Sequence, residues 1–183
     1  PYDFRSGIDV MTTETTCLSS IWLTDEKTKD YYEIHNRGEG YREIVPGPIA
    51  LYDGLIELDL SQIEPMIALP FHPSNVYPLS EVIENPDDAM AQIDADAREI
   101  FKGYKNITYN MQSKVKDGRI HVDQGIVAGC SSGSFENIYV INQLAKKLGR
   151  GVGTFNFNIY PASQPIMYEL NRIGVLNTLM GYG

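Results

Sequence analysis

Residues 125–137 read Gly125-Ile126-Val127-Ala128-Gly129-Cys130-Ser131-Ser132-Gly133-Ser134-Phe135-Glu136-Asn137. A short apolar run gives way to a small polar turn. An amphipathic stretch follows, with Ile138, Ile141, Leu144, Ala145 and Leu148 on one face. The order predicts a strand over 125–129 and a helix over 134–148. Further on, Gly153 to Ile159 reads as a second strand, Pro165 to Ile173 as a helix and Val175 to Met180 as a third strand. Strand, helix, strand, helix, strand is the pattern of a parallel layer with right-handed crossovers. The expected fold is therefore α/β, with three α/β/α layers and a mainly parallel sheet. Ligands in such sheets gather at the carboxyl ends of the strands, which is where Cys130 falls.

Toward the N-terminus the pattern loosens. A polar-faced helix is expected from Thr24, as its N-cap, to about Glu33, closed by Asn36-Arg37-Gly38. Val45-Pro46-Gly47-Pro48 reads as a connector. A boundary is placed near residue 50, so that residues 1–50 form the tail of a preceding subdomain and 51–183 a second one carrying the Cys130 loop. Leu55-Ile56-Glu57-Leu58-Asp59-Leu60 alternates as a strand does. The four prolines between Pro65 and Pro78 predict an irregular extended loop. A helix with Ala89, Ile93, Ala97, Ile100 and Phe101 inward is expected to run from Asn85 to about Lys102, and Lys116-Asp117-Gly118-Arg119 is a turn.

The 183 residues carry a net charge of −9, which argues against a sequence-blind nucleic-acid binder. Residues 1–100 hold 6 basic and 20 acidic side chains, whereas residues 101–183 hold 9 and 4. No apolar run reaches the ~18 to 20 residues of a membrane span, and the first residues lack the form of a signal peptide. The chain reads as soluble and cytoplasmic. It begins at Pro1 without an initiator methionine and ends just after an apolar run, and it is expected to be a fragment of something larger.

Cys130, at a strand end beside a helix N-terminus, occupies a place where free backbone N–H groups and the helix dipole favour an anion, a thiolate included. It reads either as a nucleophile or metal ligand, or as a small residue closing a tight turn. The same stretch fits G-x-S-x-G with Ser131 as nucleophile. A serine hydrolase of that kind needs a later histidine, yet His35, His72 and His121 all precede Ser131. The Gly149-Arg150-Gly151-Val152-Gly153 run precedes a strand and does not open a helix, so it is not a dinucleotide loop.

Residues 126–137 resemble the Gly-Ser-Cys-Thr-Asn block of the aconitase and isopropylmalate isomerase family. Three more segments agree in order. Met11-Thr12-Thr13-Glu14 through Trp22, followed by Thr24-Asp25-Glu26, is similar to the family's MGAE and TSxFPxDE segment. Tyr52 to Pro65, then Pro70-Phe71-His72-Pro73, is similar to its YDxxIExxLSxLxP segment, and Tyr160-Pro161-Ala162-Ser163 stands where the family has Thr-Pro-Gly-Ser. The resemblance implies a hydro-lyase that removes and re-adds water on a small hydroxy-carboxylic acid, using a four-iron four-sulfur (4Fe-4S) cluster. One iron, lacking a cysteine ligand, acts there as a Lewis acid, and three thiolates hold the others. By the same resemblance Cys130 is the first cluster ligand and Glu14 the glutamate near the departing hydroxyl. Ser131 and Ser132 would contact a substrate carboxylate or the cluster's sulfurs, or else satisfy the helix N-terminus.

The departures are as specific as the matches. The family's Cys-x-x-Cys block, its serine base, its arginine clamps and its catalytic histidine and aspartate have no counterpart here. A lone thiolate cannot hold a cubane, so this chain alone is expected to carry no cluster and no activity, and the remaining domains of the parent enzyme are its expected partners. Cys17 is expected to be a buried thiol and the three histidines bystanders. Gly129, Ser131, Ser132 and Val10 differ from aconitase proper and suggest a divergent hydratase. The rival readings are a serine hydrolase using Ser131, and a non-catalytic module that binds an anion at the helix N-terminus.

Overall fold

A computed structural model describes residues 1–149 and 155–182. They fall into two compact units, Pro1–Tyr52 with Asp123–Gly183, and Asp53–Val122. Residues 1–52 thus share a unit with the stretch that carries Cys130. Helix α1 (Tyr2–Val10) runs into a 3₁₀ turn, Met11–Thr13. Helix α2 (Glu26–Ile34) is capped by Asp25, whose carboxylate accepts the Thr28 N–H at 3.1 Å. The expected cap, one residue earlier, has other work: Thr24 Oγ1 accepts the Ile44 N–H at 2.8 Å. Asn36, at φ 54°, ends the helix as expected. An ion pair and a ring stack help join α1 to α2. Arg5 Nη1 donates to Asp25 Oδ1 at 3.0 Å while Nη2 reaches Oδ2, and Tyr2 stacks on Tyr31 with ring centroids 3.7 Å apart. The hydrogen bond from Arg5 is the main reason Asp25 titrates well below the usual carboxylate range.

In the second unit the proline-rich segment is a hairpin rather than an irregular loop. Strands β1 (Met66–Ala68) and β2 (Val76–Pro78) pair antiparallel, with Met66 opposite Pro78 and Ala68 opposite Val76. Its prolines lie outside or at the end of the strands, where they remove no interior ladder donor. Helices α3 (Leu79–Glu84) and α4 (Pro86–Ile100) follow, with Pro86 opening α4. The buried residues of α4 are Pro86, Met90, Ile93, Asp94 and Ala97, with Ala89 packed against the same core; Ile93, Ala97 and Ala89 lie inward as expected, whereas Ile100 is exposed. Leu69, Val82, Met90 and Ile93 form the core. Buried Asp94 accepts the N–H groups of Met111 at 2.6 Å and Gln112 at 3.0 Å, which holds the 3₁₀ turn Met111–Lys114 against α4. Strands β3 (Val115–Lys116) and β4 (Arg119–Ile120) flank Asp117 and Gly118, at φ 52° and 67°. Positive φ at both positions is what a two-residue hairpin turn requires.

Leu55–Leu60 is not a strand in this unit, and only Leu60–Gln62 is regular, as a 3₁₀ turn. Alternation records which face a strand would bury, but a strand needs a neighbour to bond with.

The remaining elements are β5 (Gln124–Ala128), α5 (Gly129–Ser132), α6 (Phe135–Leu148), β6 (Asn156–Tyr160), α7 (Gln164–Arg172) and α8 (Val175–Tyr182). Strands β5 and β6 are parallel, in register from Gln124 opposite Asn156 to Ala128 opposite Tyr160. The glycine run opens with Gly149 at φ 60°, the C-cap of α6. Residues 150–154, including the expected start of the second strand, lie outside the described residues.

The expected third strand is helix α8. Gly174 at φ 79° redirects the chain, and Val175, Leu176 and Leu179 then turn onto Ile138 and Leu170. A short apolar run fits strand or helix equally, and here the neighbouring helices decided it. Inside α6, Ile138 and Asn142 are the buried residues, while Leu144 and Leu148 are exposed. No helix among the described residues is long and apolar enough to cross a membrane.

Candidate functional site

The chain leaves β5 at Ala128 and immediately makes the single helical turn α5, Gly129-Cys130-Ser131-Ser132, where the sequence predicts a small polar turn. Gly129 stands at φ 82°, a conformation that side chains rarely adopt. Gly133 then passes so close to the end of β6 that a Cβ would lie 2.4 Å from the Tyr160 carbonyl oxygen and 2.9 Å from the Ala162 nitrogen. The Ala162 N–H donates to the Gly133 carbonyl at 2.8 Å. The turn bearing Cys130 is therefore fixed against the Tyr160-Pro161-Ala162 segment, at the carboxyl ends of both parallel strands. Cys130 is exposed there.

Helix α1 packs on the same turn. A Cβ at Gly7 would sit 3.2 Å from Ser131 Oγ, and that hydroxyl lies 3.5 Å from the Gly7 carbonyl oxygen. One turn earlier, Asp3 Oδ2 accepts the Glu136 N–H at 3.2 Å, at the start of α6. In the other direction α1 leads to Glu14, whose N–H bonds the Met11 carbonyl at 3.0 Å. Seven residues at about 1.5 to 2 Å each place the Glu14 backbone roughly 10 to 14 Å along the chain from the Gly7–Ser131 contact. The Glu14 side chain is exposed, with no hydrogen bond or ion pair among the described residues, and Glu14 closes the 3₁₀ turn through its backbone N–H.

Neither serine caps α6. Ser131 faces Gly7, its carbonyl accepts the Asn137 amide at 3.1 Å, and Ser132 is exposed. Capping falls to Asp3, a residue that sequence reading missed because nothing local marks a cap drawn from 133 positions away. With that carboxylate in place, the α6 N-terminus offers no support for an anion-binding module. The hydrolase reading fares no better. The positive φ belongs to Gly129 and not to Ser131, and His35 and His72 are engaged with the Tyr31 carbonyl and Ser74. Cys17, expected to be buried, is exposed, in a stretch where residues 14–20 are all exposed, and its Sγ lies 3.1 Å from Thr15 Oγ1.

A thiolate-held iron-sulfur cluster needs more ligands than this site offers. The chain has two cysteines, and no three His, Cys, Asp or Glu side chains gather as a metal-binding group among the described residues. Cys130 fits as one ligand, not as a complete set.

A family model described as "Aconitase family (aconitate hydratase)" matches residues 1–183. Similar proteins include the "3-isopropylmalate dehydratase large subunit 1" of Thermotoga maritima, 22% identical over 98% of this chain and 35% of that protein. The "3-isopropylmalate dehydratase large subunit" of Aquifex aeolicus is 26% identical over 98% of this chain and 34% of its own length. That of Picrophilus torridus is 42% identical over a shorter stretch, 43% of this chain and 19% of its own length. The chain spans about a third of the curated relatives that it matches from end to end.

Proposed function

We propose, on the premise that the chain belongs to the aconitase family, that it is part of a hydratase that removes and re-adds water on a small hydroxy-carboxylic acid. The observation that carries this reading is Cys130, exposed on a glycine-bounded turn at the carboxyl ends of two parallel strands, with α1 running from that turn to an unengaged Glu14. Ligand chemistry in an open parallel sheet belongs at that end.

In the full-length protein, Cys130 supplies one thiolate to a 4Fe-4S cluster whose other ligands lie outside this chain. When bound, that cluster supplies Lewis acidity toward the substrate's hydroxyl and carboxylate. Glu14 handles the proton near the departing hydroxyl, and the exposed Ser132 hydroxyl donates to a substrate carboxylate, while Ser131, its hydroxyl turned to the Gly7 carbonyl, holds the Cys130 turn against α1. The names of the relatives favour a hydroxy-dicarboxylate of the 3-isopropylmalate class and a separate smaller subunit as partner. The parallel pair β5 and β6 is the start of a three-layer α/β/α arrangement, the protein works in the cytoplasm, and residues 1–183 alone are inactive.

The test uses the full-length protein, loaded anaerobically with iron and sulfide and assayed for dehydration of 3-isopropylmalate and related hydroxy acids. Glu14→Gln is expected to lower turnover by about 10²-fold or more, the contribution of a positioned acid-base group, with the cluster absorbance unchanged. Full activity in that variant, or a loaded protein that dehydrates none of these acids, would overturn the proposal.

A further inference from the structure

The least satisfied stretch of the second unit is Leu55-Ile56-Glu57-Leu58-Asp59-Leu60. Leu55 is 89% exposed, Ile56 93%, Leu58 67% and Leu60 65%. Large apolar side chains left in water at this density mark a contact surface. The backbone is as open as the side chains: among the described residues, no backbone–backbone hydrogen bond involves residues 53–58. Ile56, Leu58 and Leu60 alternate with Glu57 and Asp59, so an extended conformation puts three apolar side chains on one face and two carboxylates on the other. Asp59 accepts the Ser61 N–H at 2.9 Å, starting the 3₁₀ turn that ends the extended stretch at a defined point.

We propose that Leu55–Leu60 is a docking strand, which adds by main-chain hydrogen bonds to the edge of a sheet formed by polypeptide outside residues 1–183 of the same full-length protein. One observation chooses this occupant. The relatives matched from end to end extend over about two-thirds of their length beyond the stretch shared with this chain, which is ample for a sheet. The segment's own chemistry defines the rest of the match. Its apolar face calls for Val, Ile or Leu side chains beside it, and Glu57 and Asp59 call for lysine or arginine at the facing cross-strand positions. The inference does not depend on the reaction catalysed.

Hydrogen exchange on the full-length protein, read by mass spectrometry, tests it together with carbodiimide coupling of carboxylates to amines. The expected result is slowing of amides in 55–60 by at least ~100-fold relative to an unstructured chain, independent of protein concentration, with Glu57 or Asp59 coupled to a lysine outside residues 1–183. Three results would each overturn the proposal. One is exchange at the unstructured rate, and a second is coupling only to lysines within residues 1–183. The third is protection that appears only at concentrations where the protein self-associates, which would assign the strand to a second copy.

Discussion

At Gly133 the protein admits no side chain, because a Cβ would meet the Tyr160 carbonyl oxygen at 2.4 Å and the Gly129 carbonyl oxygen at 2.6 Å. Both contacts are backbone, so no rotamer change relieves them. Gly133→Ala is expected to cost about 1–3 kcal/mol, as overpacking does, and to displace the Cys130 turn; urea denaturation with the unit's near-UV signal reads both. A stability unchanged within ~0.5 kcal/mol would show that the close approach does not hold in solution. Asp94 is the other residue with a defined task. Asn in its place keeps the shape but turns a donor toward one of the two N–H groups it now accepts, and is expected to destabilise the second unit by about 1–3 kcal/mol in the same experiment. Cys130 was legible in the sequence because an apolar run, a glycine and a small polar turn announce a strand end. Asp3, Gly7 and Asp94 were not, since each acts on a partner far along the chain and carries no local signal.

Elements were legible where local chemistry and tertiary packing agreed. Strand β5, helices α6 and α7 and the Asp117-Gly118 turn fall where periodicity and turn residues put them. Helix α8 and the β1–β2 hairpin do not, because a short apolar run and a proline count leave the outcome to neighbours. Leu170, fully buried where α7 meets α6 and α8, measures that packing: Leu170→Ala is expected to cost about 2–5 kcal/mol by urea denaturation, and a loss below ~1 kcal/mol would mean that α8 is not docked. The Arg5–Asp25 part of the link between α1 and α2 is electrostatic and depends on pH. The hydrogen bond from Arg5 lowers the folded-state pKa of Asp25, so the stabilisation is fully present above the ordinary aspartate pKa of about 4 and is lost as pH falls through the lower folded value. Carbon-detected NMR should show Asp25 titrating below its neighbours, and Arg5→Ala should return it to the ordinary range. Ordinary titration with Arg5 in place would mean that the pair does not form.

Across the whole molecule, function is distributed beyond what any one segment holds. Two of the four family-like segments, those bearing Cys130 and Tyr160, meet at the ends of β5 and β6, and α1 ties the Glu14 segment to the same turn. The sequence showed the segments but not this convergence, which depends on long-range contacts. The proposed docking strand and the proposed role of Cys130 as one cluster ligand both rest on partners outside residues 1–183. The most direct measurement is cluster content by absorbance and electron paramagnetic resonance in the full-length protein after anaerobic loading, compared between Cys130→Ala and Cys17→Ala. If Cys130 is a cluster ligand, its replacement lowers bound iron and sulfide to near background while Cys17→Ala matches the unaltered protein. A Cys130→Ala protein that loads a stable cluster as fully as the unaltered one would contradict that assignment.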